Sequence, residues 1–108
     1  MLKSPNLDYI KQLSGGDKDF ERKIITIIKK ELPVEIQSYK KNISAREFEK
    51  AAENIHKIKH KIGIFQMEEA YKLAIDYEEA LREKEDRYKE KFEIYLGQLK
   101  SFVESCEI

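Results

Sequence analysis

The sequence has little of the residue types that build disulfide-rich or sheet-rich domains. It contains one cysteine, Cys106, so it can form neither an internal disulfide nor a metal site made of several cysteines. It contains only two prolines and four glycines, while lysine and glutamate are abundant. This composition predicts a helical protein rather than a strand-rich one.

Long apolar runs and an excess of one charge are also missing. The longest apolar runs span only a few residues, such as Ile24-Ile25 and Ile27-Ile28. Neither a membrane span nor a signal peptide is therefore predicted, and we expect a cytoplasmic protein. Lysine plus arginine and aspartate plus glutamate are equal at 21 each, which argues against bulk binding to nucleic acid or to an acidic membrane. Lys57, Lys59 and Lys61 nevertheless predict a local basic patch.

Apolar residues at helical spacing predict two helices in the first part of the chain. We expect a short helix with Asn6 as its N-cap, ended by the turn Ser14-Gly15-Gly16. Asp17 is well placed to cap a long second helix. The apolar period of that helix continues in phase across Pro33, which predicts a bent but continuous helix.

Three further helices are expected in the second part. Ser44 and Glu47 match a capping box at the start of the third helix. The fourth helix begins near Met67, and the last runs from about Asp86 to Val103. Gly97 lies inside the last helix, where close packing against a neighbouring helix is the usual reason for a glycine.

The fold class predicted from these helices is all-α. With 108 residues the chain is long enough for one domain, spanning residues 1–108, and not for two. Four long helices with short connections predict an antiparallel up-and-down four-helix bundle, with the short N-terminal helix capping one end. The residues expected to face its core include Phe20, Ile27 and Tyr71.

The stretch from Asn54 to Phe65 carries both histidines of the chain. Its apolar residues recur at steps of three, four and three, which predicts one buried helical stripe of Ile55, Ile58, Ile62 and Phe65. A second stripe follows one edge of the first and consists of His56, Lys59, His60 and Gly63. A surface imidazole with a cation one turn away is a plausible phosphoryl-accepting site.

The histidine pair allows three interpretations. Both side chains can be ordinary solvated residues. Two histidines four residues apart can also bind zinc or nickel, but a functional site needs a third ligand, for which Glu53 is the nearest choice on this helix. The third interpretation is phosphoryl transfer through one imidazole, with Lys59 as the cation and Gly63 as uncovered backbone. A hydrolytic site has little support, since no serine or cysteine forms a recognisable constellation with the histidines.

The segment His56-Lys57-Ile58-Lys59 resembles the His-x-Leu-Lys core of histidine-containing phosphotransfer (HPt) domains, which act in two-component phosphorelays. The resemblance covers most of the chain. Residues 7–17 are similar to the opening helix and Gly-Asp turn of that family, Phe20 to Pro33 to its second helix, and Glu49 to Ile58 to the approach to its phosphorylated histidine. Many members carry glycine where this chain has His60 and Gln66.

The resemblance implies a phosphoryl carrier with His56 as acceptor and Lys59 as the residue that stabilises charge on the phosphoryl group. It implies receiver domains of response regulators or hybrid histidine kinases as partners, docking on residues beside His56. Those docking residues are Ala52, His60, Gly63 and Ile64. No cofactor of its own and no bound metal are implied; Mg²⁺ would belong to the receiver. We expect a monomer that binds neither nucleic acid nor membrane.

Two further expectations follow from the same residues. Gly15-Gly16 is followed by no Gly-Lys-Ser/Thr segment, so it predicts a turn rather than a phosphate-binding loop, and we expect no phosphorylation from ATP. The alternative to a phosphoryl carrier is a helical interaction module that binds a receiver-like partner without transferring phosphate. The side chain of His60, at a position where glycine is common in the family, favours that alternative.

Overall fold

The computed structural model describes residues 5–106, which form five α-helices. They are α1 (Asp8–Ser14), α2 (Lys18–Ser44), α3 (Phe48–Ile64), α4 (Glu68–Arg82) and α5 (Lys89–Ser105). Within this part of the chain there is no strand, so the all-α prediction is confirmed. None of the five helices combines the length and apolarity that a membrane crossing requires.

The junction between α1 and α2 has the predicted local structure. Gly15 has φ 60°, in the left-handed region that favours glycine, and its N–H donates to carbonyls of the last turn of α1. The Asp17 carboxylate accepts hydrogen bonds from the N–H groups of Asp19 and Phe20 and so caps α2. One detail differs: Leu7 is the N-cap of α1, and the Asn6 side chain accepts from the Asp8 N–H just outside it.

The helix boundaries further along the chain require two corrections. α2 continues through Pro33 as predicted, but it runs to Ser44, so Ser44 belongs to its last turn and cannot cap α3. The chain turns at Arg46, whose φ is 57°, and the N-cap of α3 is Glu47, without a side-chain capping bond. α5 begins at Lys89 rather than near Asp86, because a turn that includes Lys84 at φ 66° occupies part of the connection.

Each long helix packs against two other long helices. α3 lies between α2 and α4, and α5 contacts both α2 and α4, while α1 packs on α2. The lead-in to α1 is tied to the end of α3, because the Asn6 N–H donates to the Phe65 carbonyl at 3.1 Å. The fully buried core residues come from α1 to α5 and include Ile10, Leu32, Tyr39, Ile55, Ile58, Ile62, Leu81, Phe92 and Leu99.

The inner faces are only partly as predicted. The buried stripe of α3 is confirmed, since Ile55, Ile58, Ile62 and Phe65 are all fully buried. Phe20, Ile27 and Tyr71 are exposed, contrary to prediction. The buried residues of α2 run through Ile25, Ile28 and Leu32, so that helix is rotated away from the face that Phe20 and Ile27 share.

Candidate functional site

His56 lies on the outer surface of α3, with about half of its side chain (52%) exposed. Its position follows from the helical period: Ile55 and Ile58 point into the core, so the intervening residues lie toward the surface or its edge. Lys59 lies one turn further along the helix, and His60 one turn from His56 on the same exposed side. The predicted stripe along the edge of the buried face is therefore present.

Glu78 of α4 contacts the first two residues of this stripe. Its Oε1 lies 3.3 Å from His56 Nδ1 and 3.1 Å from Lys59 Nζ. Because a carboxylate oxygen can only accept, this contact favours the tautomer in which Nδ1 carries the proton. The lone pair of His56 is then on Nε2, the ring nitrogen that does not face Glu78.

The other carboxylate oxygen of Glu78 binds Arg82. Arg82 Nη2 lies 3.2 Å from Glu78 Oε2, and Arg82 Nη1 lies 3.4 Å from Glu49 Oε2 on α3. Burial by itself raises the pKa of the Glu78 carboxyl, but the hydrogen bonds from Lys59 and Arg82 outweigh it and hold that pKa below its ordinary value. Glu78 is therefore ionised at neutral pH.

The cations beside His56 are already compensated by carboxylates. Lys59 and Glu78 are both mostly buried, with 14% and 15% of their side chains exposed, and they face each other directly. Arg82 is shared between Glu78 and Glu49. These two basic and two acidic groups give a local charge of zero when the imidazoles are neutral. Lys59 is thus one turn from His56 as predicted, but it already has an acidic partner.

The imidazole ring of His60 packs against that of His56 in a T-shaped arrangement. The ring centroids are 5.0 Å apart and the planes are nearly perpendicular, at 87°. Side chains on a helix lean toward its N-terminus, so the His60 ring leans over the turn that carries His56. Among the groups of residues 5–106, His60 makes this ring contact but no hydrogen bond or ion pair.

The backbone at Gly63 is predicted to be uncovered, but in the structure the Tyr71 ring lies against it. A Cβ atom there would lie 3.3 Å from Cε2 of Tyr71, which is tighter than an ordinary contact. Tyr71 thus covers part of the backbone of Gly63. Beside them is an open groove of about 380 Å³. It is lined by Gly63, Gln66, Met67, Glu68, Tyr71 and Lys72.

The four residues expected to dock a partner are placed differently from one another. His60 and Gly63 are exposed, and Ile64 is half-buried. Ala52 is fully buried in the core between α3 and its neighbours, so its side chain is out of reach of a partner on the surface. Sequence spacing places Ala52 one turn before His56, but it does not say how far α3 is rotated into the core.

The basic patch predicted from Lys57, Lys59 and Lys61 is not formed by all three lysines. Lys57 is exposed, but the Lys61 side chain is mostly buried and points to α2, where its Nζ lies 3.2 Å from Glu31 and 3.0 Å from Glu35. The three lysines follow one another at every second residue, and a helix sends such residues to different faces.

A metal site was the second interpretation of the histidine pair. No group of three or more potential ligands (histidine, cysteine, aspartate or glutamate) occurs within residues 5–106.

Glu78 and Arg82 were not among the predicted site residues. In the sequence they are part of an acidic and a basic run that reads as a solvated surface with local ion pairs. They are four residues apart and therefore share one face of α4. That spacing was the available signal, but the helix face toward which they point depends on how α4 packs on α3.

Comparisons of the chain with protein-family models, with curated proteins and with solved structures found no match. Any function for this surface therefore rests on its own chemistry: an exposed imidazole oriented by a carboxylate, beside a lysine and an arginine.

Proposed function

We propose that this helical protein is a phosphoryl carrier that uses His56 as its acceptor. More specifically, we propose an HPt protein of a multistep two-component phosphorelay. It receives a phosphoryl group from the aspartate of one receiver domain and passes it to the aspartate of another. The observation that carries this proposal is the contact between Glu78 Oε1 and His56 Nδ1, which orients the ring and leaves Nε2 as its nucleophilic nitrogen.

The chemistry of transfer fits the charges around the ring. Nε2 attacks the phosphorus of the receiver's phosphoaspartate, the N–P bond forms, and the P–O bond to the aspartate breaks, which releases a carboxylate. The ring keeps its proton on Nδ1 and gains positive charge, which the ionised Glu78 stabilises at 3.3 Å. Lys59 stabilises negative charge on the phosphoryl oxygens by exchanging part of its contact with Glu78.

The proposal includes the setting in which this chemistry occurs. The helix neighbours and short connections support an antiparallel up-and-down bundle of α2 to α5, capped by α1, as one domain. The partners are receiver domains, which contribute Mg²⁺, and the carrier is a cytoplasmic monomer that binds neither nucleic acid nor membrane. It carries the phosphoryl group covalently and is not a turnover enzyme.

The test is a phosphotransfer assay with and without the acceptor. The wild-type chain and His56→Gln are each mixed with a receiver domain that carries labelled phosphoaspartate, in the presence of Mg²⁺. We expect label to move to the wild type and not to His56→Gln, with circular dichroism showing that both are folded. Equal labelling of the two proteins would remove His56 from the reaction.

A second candidate is a helical module that binds a receiver-like partner without transferring phosphate. Two observations favour it: the carboxylates of Glu78 and Glu49 already neutralise Lys59 and Arg82, and the ring of His60 packs against that of His56. In this case the receiver binds, but no label reaches the chain. Measuring binding and labelling on the same pair of proteins separates the two functions.

A further inference from the structure

The ring of His56 contacts a basic group that has no acidic partner among residues 5–106, the imidazole of His60. Lys59 is paired with Glu78, and Arg82 with both Glu78 and Glu49. His60 has no hydrogen bond or ion pair among residues 5–106, and its ring centroid is 5.0 Å from that of His56. The next exposed cation on this helix, Lys57, follows His56 directly in sequence and so points about 100° away around the helix.

We propose that His60 binds the phosphoryl group on His56, by taking up a proton and donating a hydrogen bond to a phosphoryl oxygen. This inference rests on the proposed acceptor role of His56. It assigns to His60 a direct role in holding the phosphoryl group, instead of a place on the docking surface only.

The reach of the two rings supports this role. The two ring centroids are 5.0 Å apart, and a phosphoryl group on His56 extends beyond the edge of its ring by an N–P bond and a P–O bond. The His60 side chain leans toward the N-terminus of α3, which is the direction of His56. His60 is exposed, so its ring is free to rotate about its side-chain bonds toward a phosphoryl oxygen.

The negative charge of a phosphoryl group on His56 favours protonation of His60. Before phosphorylation, Lys59 and Arg82 balance Glu78 and Glu49, so no net charge acts on His60 from this cluster. A phosphoryl group adds between one and two negative charges beside it. Other charged groups of this surface include Glu53 and Lys57 on α3 and Glu68 and Lys72 on α4. None of them can take up a proton near neutral pH, whereas histidine can.

The first experiment uses a donor that needs no receiver domain. Phosphoramidate phosphorylates the imidazole: the P–N bond of the donor breaks, an N–P bond to His56 Nε2 forms, and ammonia leaves and takes up a proton from the solvent, while the ring keeps its proton on Nδ1. With ¹⁵N-labelled histidines, NMR follows the pH titration of the His60 ring before and after this reaction. We expect the titration midpoint of His60 to move to higher pH by about one pH unit when His56 is phosphorylated.

Matched variants define the control. Lys57→Gln removes an exposed cation that the proposal does not use, and it should leave the shift of the His60 midpoint unchanged. A movement of less than about 0.3 pH unit in the wild type would overturn the inference, since a neighbouring charge within hydrogen-bond distance produces more. Labelling of His60 in place of His56, or no labelling of His56, would also overturn it.

The second experiment adds the receiver. By linkage, a midpoint shift of one pH unit means that protonated His60 favours the phosphorylated carrier about tenfold. The fraction of label on the carrier at equilibrium with a receiver should therefore increase more on acidification for wild type than for His60→Ala. If the NMR shift is present but no receiver exchanges label, the phosphorelay function fails while the role of His60 stands. If label exchanges with equal pH dependence in both proteins, the role of His60 fails.

Discussion

At the scale of single residues, Glu78 connects the candidate site to the stability of the fold. One carboxylate oxygen contacts His56 and Lys59, and the other binds Arg82. These contacts tie α4 to α3 and also hold the ring of the proposed acceptor. The carboxylate that contacts His56 is thus on another helix, 22 positions away in sequence.

The lowered pKa of Glu78 predicts how stability depends on pH. Its pKa is lower in the folded than in the unfolded chain, so its contribution is present above the ordinary glutamate value of 4.5 and is lost as pH falls through the folded value. At neutral pH, Glu78→Gln should lower the unfolding free energy by about 1 kcal/mol. The difference from wild type should shrink as pH falls below 4.5, as measured by urea unfolding across pH.

The exposed neighbour Glu79 provides the matched control for this measurement. Glu79→Gln removes one carboxylate from the same turn of α4, and we expect it to change stability by less than about 0.5 kcal/mol. A Glu78→Gln effect of the same size, or one that grows in acid, would contradict the paired arrangement of Glu78, Lys59 and Arg82.

At the scale of the helix, α3 and α5 each contain a glycine in their interior. A Cβ on Gly97 would have no neighbouring atom within 4 Å, so the close packing expected for this glycine is absent. A Cβ on Gly63 would lie 3.3 Å from Tyr71. The same residue type therefore occupies open space in one helix and a covered position in the other.

The two glycines should respond differently to alanine. Gly97→Ala should raise the unfolding free energy by about 1 kcal/mol, because alanine has the higher helix propensity and meets no obstacle. Gly63→Ala should raise it by less, since the Tyr71 ring must move by a few tenths of an ångström. Urea unfolding of the two single variants measures both values. Equal gains would show that Tyr71 moves without cost.

At the scale of the whole molecule, two consecutive hydrogen bonds between side chains join three helices. The hydroxyls of Tyr39 and Tyr77 are 2.6 Å apart, and Tyr39 donates to Glu93 Oε2 at 2.9 Å. Because Tyr39 gives its proton to the carboxylate, Tyr77 is the donor to Tyr39. The two hydrogen bonds run from α4 through α2 to α5, and Phe92 packs against both tyrosine rings.

The direction of these hydrogen bonds predicts unequal effects of two similar substitutions. Tyr39→Phe leaves the buried Tyr77 hydroxyl without its acceptor and Glu93 with Lys89 as its remaining partner, so it should cost about 2 kcal/mol of unfolding free energy. Tyr77→Phe removes only the donor to Tyr39 and should cost about 1 kcal/mol. Chemical denaturation at pH 7 compares the two, and the reverse order would contradict the assigned direction.

The unfolding free energy at alkaline pH should also distinguish Tyr77→Phe from wild type. Burial raises the pKa of Tyr77 to about 12 and that of Tyr39 well above its ordinary range. The folded state therefore keeps protons that the unfolded state loses, and stability should fall as pH rises from about 10 toward 12. This loss should be smaller in Tyr77→Phe, which has one of these phenols fewer. An equal alkaline loss in wild type and variant would rule out a contribution from Tyr77.

Much of the local structure could be predicted from the sequence. The helical period of apolar residues identified all five helices and the buried stripe of α3, because a helix with one apolar face repeats that face every three to four residues. The turn at Gly15 and the cap at Asp17 were predicted for a similar reason, since both depend on residues adjacent in sequence. The stripe of His56, Lys59 and His60 follows from helix geometry alone.

Only the tertiary structure decided which groups meet across helices. The rotation of α4 brings Glu78 to His56 and Lys59, and the rotation of α3 buries Ala52 and turns Lys61 toward α2. These rotations result from the packing of several helices at once, so the period of one helix does not specify them. The sequence by itself thus determined the helices and the chemical types along each surface. Packing decided that an imidazole, a lysine and an arginine share one carboxylate.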